Sequence, residues 1–145
     1  MEISLKKGID RLVFGMEQKD VEALYGSPDR EYSDEDENII YLYNDKKLRL
    51  TFYEDEEFRL GYIIGSHTDL QLFGNSVISE SWDTVHPLVK EKGIKSFENE
   101  VFDSQDNFFN EENWIIFTVE FGEIVKVELG AVISDKDEFD WKFKA

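Results

Sequence analysis

Apolar and polar positions alternate most clearly in "LRLTFY" (48–53), where Leu48, Leu50 and Phe52 are interleaved with Arg49, Thr51 and Tyr53. A strand with that period turns one side to a core and leaves the other wetter. "IIYLYN" (39–44) and "FRLGYII" (58–64) flank it with the same β-branched and aromatic content, separated by turn-like "NDKK" and "EDEE". Together they predict an antiparallel meander. Upstream, "VFGMEQKDVEALYGSPD" changes period: Val21 and Leu24 share a helical face. With Glu17 as N-cap, Met16 and Val21 stand at the positions of a hydrophobic staple and Asp20 falls in the first turn. Gly26 supplies a left-handed stop, and Pro28 prevents continuation.

The second half repeats that order. "ISESWDTVHPLVKEKG" (78–93) predicts a helix ending at Gly93, kinked or restarted at Pro87, which lacks a donor and restricts His86. After "SFENEVF" (96–102), "WIIFTVEFGEIVKVELGAVI" (114–133) predicts a hairpin with Gly122-Glu123 as a type II′ loop. Ile115, Phe117, Val119 and Phe121 would share one face of its first strand, and Val125, Val127, Leu129 and Ala131 one face of its second. "DEFDWKFKA" alternates Phe139, Trp141 and Phe143 with charges, which predicts a last strand, 138–144, at a sheet edge. The expectation is an α+β fold in a single domain, 1–145. Two tandem helix-then-antiparallel-meander units, about 9–66 and 67–133, would form one largely antiparallel sheet with helices on one face.

Composition narrows the function classes. The 145 residues suffice for one domain with a sizeable core, and 41% hydrophobic content is too apolar for an acidic disordered tail. With 33 Asp and Glu against 16 Lys and Arg, the net charge of −17 repels nucleic acid and anionic membranes and favours encounter with basic proteins. Solubility alone also accounts for such acidity. There is no cysteine, which excludes disulfides and thiolate chemistry. The start "MEISLKKGIDRL" lacks the apolar core of a signal peptide, and no apolar run is long enough to span a bilayer, so a cytoplasmic location is expected.

The acidic run Asp34-Glu35-Asp36-Glu37 raises three possibilities: a metal loop, a catalytic cluster or a surface for a cationic partner. Asp34, Asp36 and Asn38 mimic the first positions of a calcium loop, with Asp45 at the twelfth. The required sixth-position glycine is Ile39, however, and Asp45 is short for bidentate ligation. Paired carboxylates for acid–base work stay open as a class, because sequence does not show which carboxyl has a raised pKa. Ser66, His67 and Asp69 lie close in sequence, but a triad is defined in space. Only two histidines are present and the glycines are scattered, so no zinc set and no phosphate cradle is expected; the reading is a non-enzyme without cofactors.

Around "FGMEQKDVEALYGSPDREY", over residues 12–32, the chain resembles the SmpA/BamE outer-membrane assembly lipoproteins and the β-lactamase-inhibitor-like proteins. The matching positions are Phe14, Gly15, Met16, Val21, Leu24, Gly26 and Pro28, all structural. The resemblance implies a non-catalytic helix-plus-sheet module, present twice in the inhibitor, that offers a sheet face to a protein. The lipid-anchoring and disulfide cysteines of those families have no counterpart here. Size and acidity are also similar to bacterial immunity proteins that neutralise toxins, a likeness of class and charge. The expected function is therefore an acidic binding or inhibitor protein for a basic partner such as a toxin nuclease domain. Asp34, Glu35, Asp36 and Glu37 would steer the encounter, and Tyr41, Tyr43, Tyr53 and Trp141 would fix it. A monomer or weak dimer is expected. The alternatives are an assembly module that self-associates through the edge near Trp141 and a carboxylate-dependent hydrolase.

Overall fold

The computed structural model describes residues 1–144. In chain order the elements are β1 (Glu2–Ser4), β2 (Gly8–Ile9), α1 (Gln18–Tyr25), β3 (Arg30–Ser33), β4 (Ile39–Tyr43), β5 (Leu48–Tyr53) and β6 (Arg59–Gly65). β7 (Gln71–Leu72), β8 (Asn75–Ser76), α2 (Trp82–Glu91), β9 (Glu98–Phe102), β10 (Gln105–Asn110), β11 (Ile115–Glu120) and β12 (Glu123–Gly130) follow. Eight strands form one antiparallel sheet in the order β3-β4-β5-β6-β12-β11-β10-β9, and the other four form a small sheet, β2-β1-β7-β8.

One face of the large sheet is covered. Tyr41, Tyr43, Leu48, Leu50, Phe52, Leu60 and Ile63 join Ile115, Phe117, Ile124, Val127 and Leu129 in a single apolar core. Val21 of α1, Trp82, Val85 and Val89 of α2, and Ile3, Ile9, Leu70 and Leu72 from in and around the small sheet close over them. The helix ends follow local chemistry. The Glu17 backbone N–H donates to the Asp20 carboxylate at 3.0 Å, and the Gly26 N–H, at φ 79°, donates to the Glu22 carbonyl at 2.8 Å. Ile40 is also fully buried but stands apart from this core, on the opposite face of the sheet.

The expected α+β fold of tandem helix-then-meander units is corrected. The chain is mostly β, with 41% strand and 15% helix, and that helix is two α-helices of 8 and 10 residues and one 3-10 turn, Glu54–Glu56. Nor are the units 9–66 and 67–133 self-contained. β1 pairs in parallel with β7, tying Ile3 to Leu72, and the small sheet built on that pair crosses the proposed boundary. The large sheet is likewise continuous through the β6–β12 ladder, Ile63 to Leu129.

Three local expectations also change. α2 begins at Trp82 and runs through Pro87. The hairpin loop is Phe121-Gly122, because Glu120 pairs with Glu123 and both loop residues have positive φ, 51° and 82°, as a type I′ turn requires. Phe121 is thus 87% exposed, and a bulge at Thr118/Val119 brings Ile124 rather than Val125 to the core. Finally, 138–144 adds no strand beyond one bridge, Ile133 to Phe139. That tail packs back through its aromatic rings, and the Phe143 N–H donates to the Phe14 carbonyl at 3.0 Å.

A candidate binding cleft on the open sheet face

The uncovered face is built from the opposite parity of the same strands. Arg49 pairs with Ile64, Ile64 with Glu128, Glu128 with Ile116 and Ile116 with Phe109, giving one row across the sheet, and Thr51, Tyr62 and Gly130 form the row beside it. Between Thr51 and Phe52 the β5–β6 ladder slips, leaving Gly61 as the extra residue of a bulge. A Cβ at Gly61 would lie 2.1 Å from the Tyr53 ring, and one at Gly130 would lie 2.2 Å from the Trp114 indole. Both rings therefore rest directly on the sheet backbone, which only glycine permits. The two sites adjoin, since the Ala131 N–H donates to the Gly61 carbonyl at 2.9 Å.

Above this floor lies a cleft of about 540 Å³ formed by Tyr53, Tyr62, Trp114 and Phe139, with Glu111, Glu112 and Asp137 among its walls. A second cleft of about 370 Å³ continues from Tyr62 and Trp114 toward Phe109, Glu98 and Glu100. A third, of about 380 Å³, continues from Tyr53 and Phe139 toward Asp36, Glu54 and Asp55. Among the described residues, no Lys or Arg lines any of the three. Burial pushes the Tyr53 phenol up to about 12, with Asp55 adding to it. Burial also raises Tyr62, reinforced by the 2.7 Å hydrogen bond its hydroxyl donates to Glu128. Both floor phenols are neutral at ordinary pH, so the nearby charge belongs to the wall carboxylates and Glu128, with Arg49 close enough to Tyr62 to oppose its rise. Aromatic faces beside carboxylates attract ammonium and guanidinium groups.

The residues expected from sequence divide between the faces. Tyr41 and Tyr43 are 1% and 5% exposed, so their expected place at a partner surface is corrected. They pack under α1: the Tyr41 hydroxyl donates to Glu22 at 3.0 Å and accepts from Gln18 at 2.9 Å, while that of Tyr43 donates to the Gly26 carbonyl at 2.8 Å. Asp34 to Glu37 form the β3–β4 turn. The Asp34 carboxylate accepts from the backbone N–H groups of Asp36 and Asn38 and from the Asn38 side chain, so it holds the loop. Slight desolvation opposes ionisation there. The Asn38 and Asp36 hydrogen bonds and the Arg49 charge outweigh it and keep the carboxyl below its usual range.

Asp36 reaches the cleft system, while Glu35 and Glu37 are exposed beside it. Tyr53 is part of the floor. Trp141 stacks on Phe139 at 4.8 Å, and Phe139 lies 5.6 Å from Tyr53, so the tail forms one wall. Sequence reasoning missed Tyr62, Phe109, Trp114 and Phe139. The available signal was glycine inside two strand patterns, "RLGYII" and "VELGAV", which marks close approach of another group.

The other candidates have local roles. His67 Nδ1 accepts the Asp69 N–H at 2.9 Å, and His86 stacks on Trp82 at 4.9 Å in the core cover. Asp34 and Asp140 both lie below the usual carboxylate range, Asp140 through its 2.6 Å hydrogen bond from Lys142.

No family model matches the chain, and no curated protein does. Solved structures do. An extracellular protein containing an SCP domain from Bacillus anthracis str. Ames is similar with a TM-score of 0.54 at 13% identity, over 88% of this chain and 49% of that one. The chain thus spans about half the length of that structure, and the likeness is one of fold. A cysteine-rich secretory protein from Staphylococcus aureus matches at a TM-score of 0.49 and 13% identity, over 80% of this chain and 42% of that one. A DUF4309 family protein from Bacillus subtilis matches at 0.47 and 17%, over 86% and 82%. These are proteins of other descriptions than the assembly lipoproteins and β-lactamase inhibitors expected from residues 12–32.

Proposed function

We propose that the chain is a non-catalytic binding module that holds a cationic segment of a protein partner on its open sheet face. The observation that carries this reading is the combination at the cleft: aromatic rings laid on a glycine backbone, walled by carboxylates and by no cation. The net charge of −17 draws a basic protein in, and the rings discriminate once it arrives. Lysine or arginine side chains would lie over Tyr53, Tyr62 or Trp114 and pair with Glu111, Glu112 or Asp137. A basic toxin domain is one partner of that chemistry, and such a domain would be neutralised by occupation rather than by a reaction.

The test uses n-butylguanidinium as the probe, followed by backbone amide shifts. Binding should move the Gly61, Tyr62 and Gly130 amides, weaken as salt rises, and fall about tenfold on Trp114→Ala. Shifts confined to the 34–37 turn, or an affinity unchanged in Trp114→Ala, would overturn it.

A further inference from the structure

The large sheet ends in two unlike edges. β3 is four residues long and carries Arg30, whose guanidinium sits 5.0 Å over the Tyr32 ring. β9 is exposed along all five residues, Glu98 to Phe102. It carries no lysine, arginine or proline, the usual guards of an open edge, and the chain has no cation between Lys95 and Lys126. Val101 and Phe102 are 69% and 71% exposed. An edge strand guarded by glutamates alone is a template for a strand of opposite charge.

The β9–β10 hairpin is closed by two residues, Asp103 and Ser104, with Phe102 opposite Gln105. The pair flanking such a turn exchanges its hydrogen bonds, so Phe102, Glu100 and Glu98 direct their peptide groups to β10. Asn99 and Val101 direct theirs outward. The Glu98 and Glu100 side chains stand on the open face, opposite Phe109 and Asn107, where they wall the second cleft. Val101 points to the other face.

A second copy is a poor occupant of this edge. Antiparallel copies centred on Glu100 would set Glu100 against Glu100, and copies centred on Asn99 would set Glu98 against Glu100. Like charges directly opposite one another destabilise a pair. Copies centred on Val101 would overlap only from Glu100 to Phe102, because the chain turns away at Asp103, φ 56°.

From this geometry we infer that β9 takes up an extended, basic segment of a protein partner as a ninth strand, antiparallel like every other pair in that sheet. Alternation sets the segment's chemistry. Residues opposite Glu98 and Glu100 are lysine or arginine, and those opposite Asn99 and Val101 are apolar. The inference rests on the cationic-partner reading for the sign of the charge, and adds the edge and the binding mode. It also adjoins the cleft system, since the cations placed on the open face lie beside Glu98 and Glu100, which wall the second cleft.

The probe is a short capped peptide alternating valine and lysine, added to the intact chain. It should slow hydrogen exchange of the Asn99 and Val101 amides at least about tenfold, because those amides gain partners. In the antiparallel register the valine N–H groups face β9 and the lysine N–H groups face away. N-methylation at the valines should therefore abolish binding, while N-methylation at the lysines should leave it. A valine–glutamate peptide should not bind. Unchanged exchange at Asn99 and Val101, equal effects of the two methylations, or the reverse pattern overturns the inference. If the peptide shifts only Gly61 and Gly130, the edge falls while the cleft stands. If n-butylguanidinium fails there but β9 is protected, the cleft falls and the edge stands.

Discussion

Tyr41 and Tyr43 differ from Tyr53 and Tyr62 only in which face of one sheet they occupy. The first pair lies under α1 with both hydroxyls committed to side chains and a carbonyl of the same chain. The second pair lies open, Tyr53 on the Gly61 backbone and Tyr62 against Glu128. A tyrosine's role here is set by strand parity and not by residue type. On the covered face its ring fills volume, and on the open face it presents a surface to whatever arrives.

Truncation separates the faces most sharply. Tyr41→Ala should cost about 3–5 kcal/mol, as deletion of a buried aromatic ring does, whereas Tyr53→Ala should cost about 1 kcal/mol. Thermal melts of the two variants check this. Affinity for n-butylguanidinium should rank them the other way, falling in Tyr53→Ala and holding in whatever fraction of Tyr41→Ala is folded. Equal melting losses would erase the distinction.

Gly130→Val tests the floor itself. The new side chain occupies the space of the Trp114 indole and must expel it, at a cost of about 1–3 kcal/mol. Trp114 emission should shift to longer wavelength and n-butylguanidinium binding should be lost. Retention of both would mean that the ring is not held where the cleft needs it.

Alkali gives a third contrast. Burial, followed by neighbouring carboxylates for Tyr43, pushes both phenols from 10.0 up to about 12; at Tyr41 the hydrogen bond donated by Gln18 opposes the rise and the hydrogen bond and charge of Glu22 add to it. A raised pKa keeps the folded state protonated where the unfolded chain has already lost its proton, so stability is full below pH 10 and declines between pH 10 and 12. Tyr41→Phe and Tyr43→Phe should each flatten that decline in melts taken across the range. A decline of unchanged slope would place its source elsewhere.

The smallest effect belongs to the acidic turn. Glu35→Gln, Asp36→Asn and Glu37→Gln together should change stability by no more than about 0.5 kcal/mol, since these side chains make no contact that holds the fold. Asp34→Asn should be the exception, because its carboxylate gathers the loop's N–H groups. Melts of the triple variant against Asp34→Asn measure the difference.

Much of the chain's local structure could be read from its letters. Glu17 and Gly26 bound α1 because capping is decided within a few residues, and Leu48, Leu50 and Phe52 declare a strand because polar residues separate them. "IIYLY" has no such separation, so its parity was hidden until pairing with β5 set Tyr41 opposite Leu50. The bulge at Thr118/Val119 and the positive φ of Phe121 shifted the final hairpin by one residue, and neither is dictated by local composition. The tail alternates as a strand does, yet Gly15 gives its rings a closer seat: a Cβ there would lie 3.1 Å from Trp141 and 3.4 Å from Phe143. The cleft was illegible because it is assembled from β5, β6, the residues around Trp114, and the tail. Its one sequence trace was a pair of strand glycines.

The ladder between β6 and β12 also sets a timetable for synthesis. Ile63 waits for Leu129, so a ribosome adding about 5–20 residues per second leaves the β6 edge bare for several seconds after it emerges. During that interval the apolar run Ile63-Ile64 is available to any passing strand, and chaperone demand should peak there rather than at the chain's start.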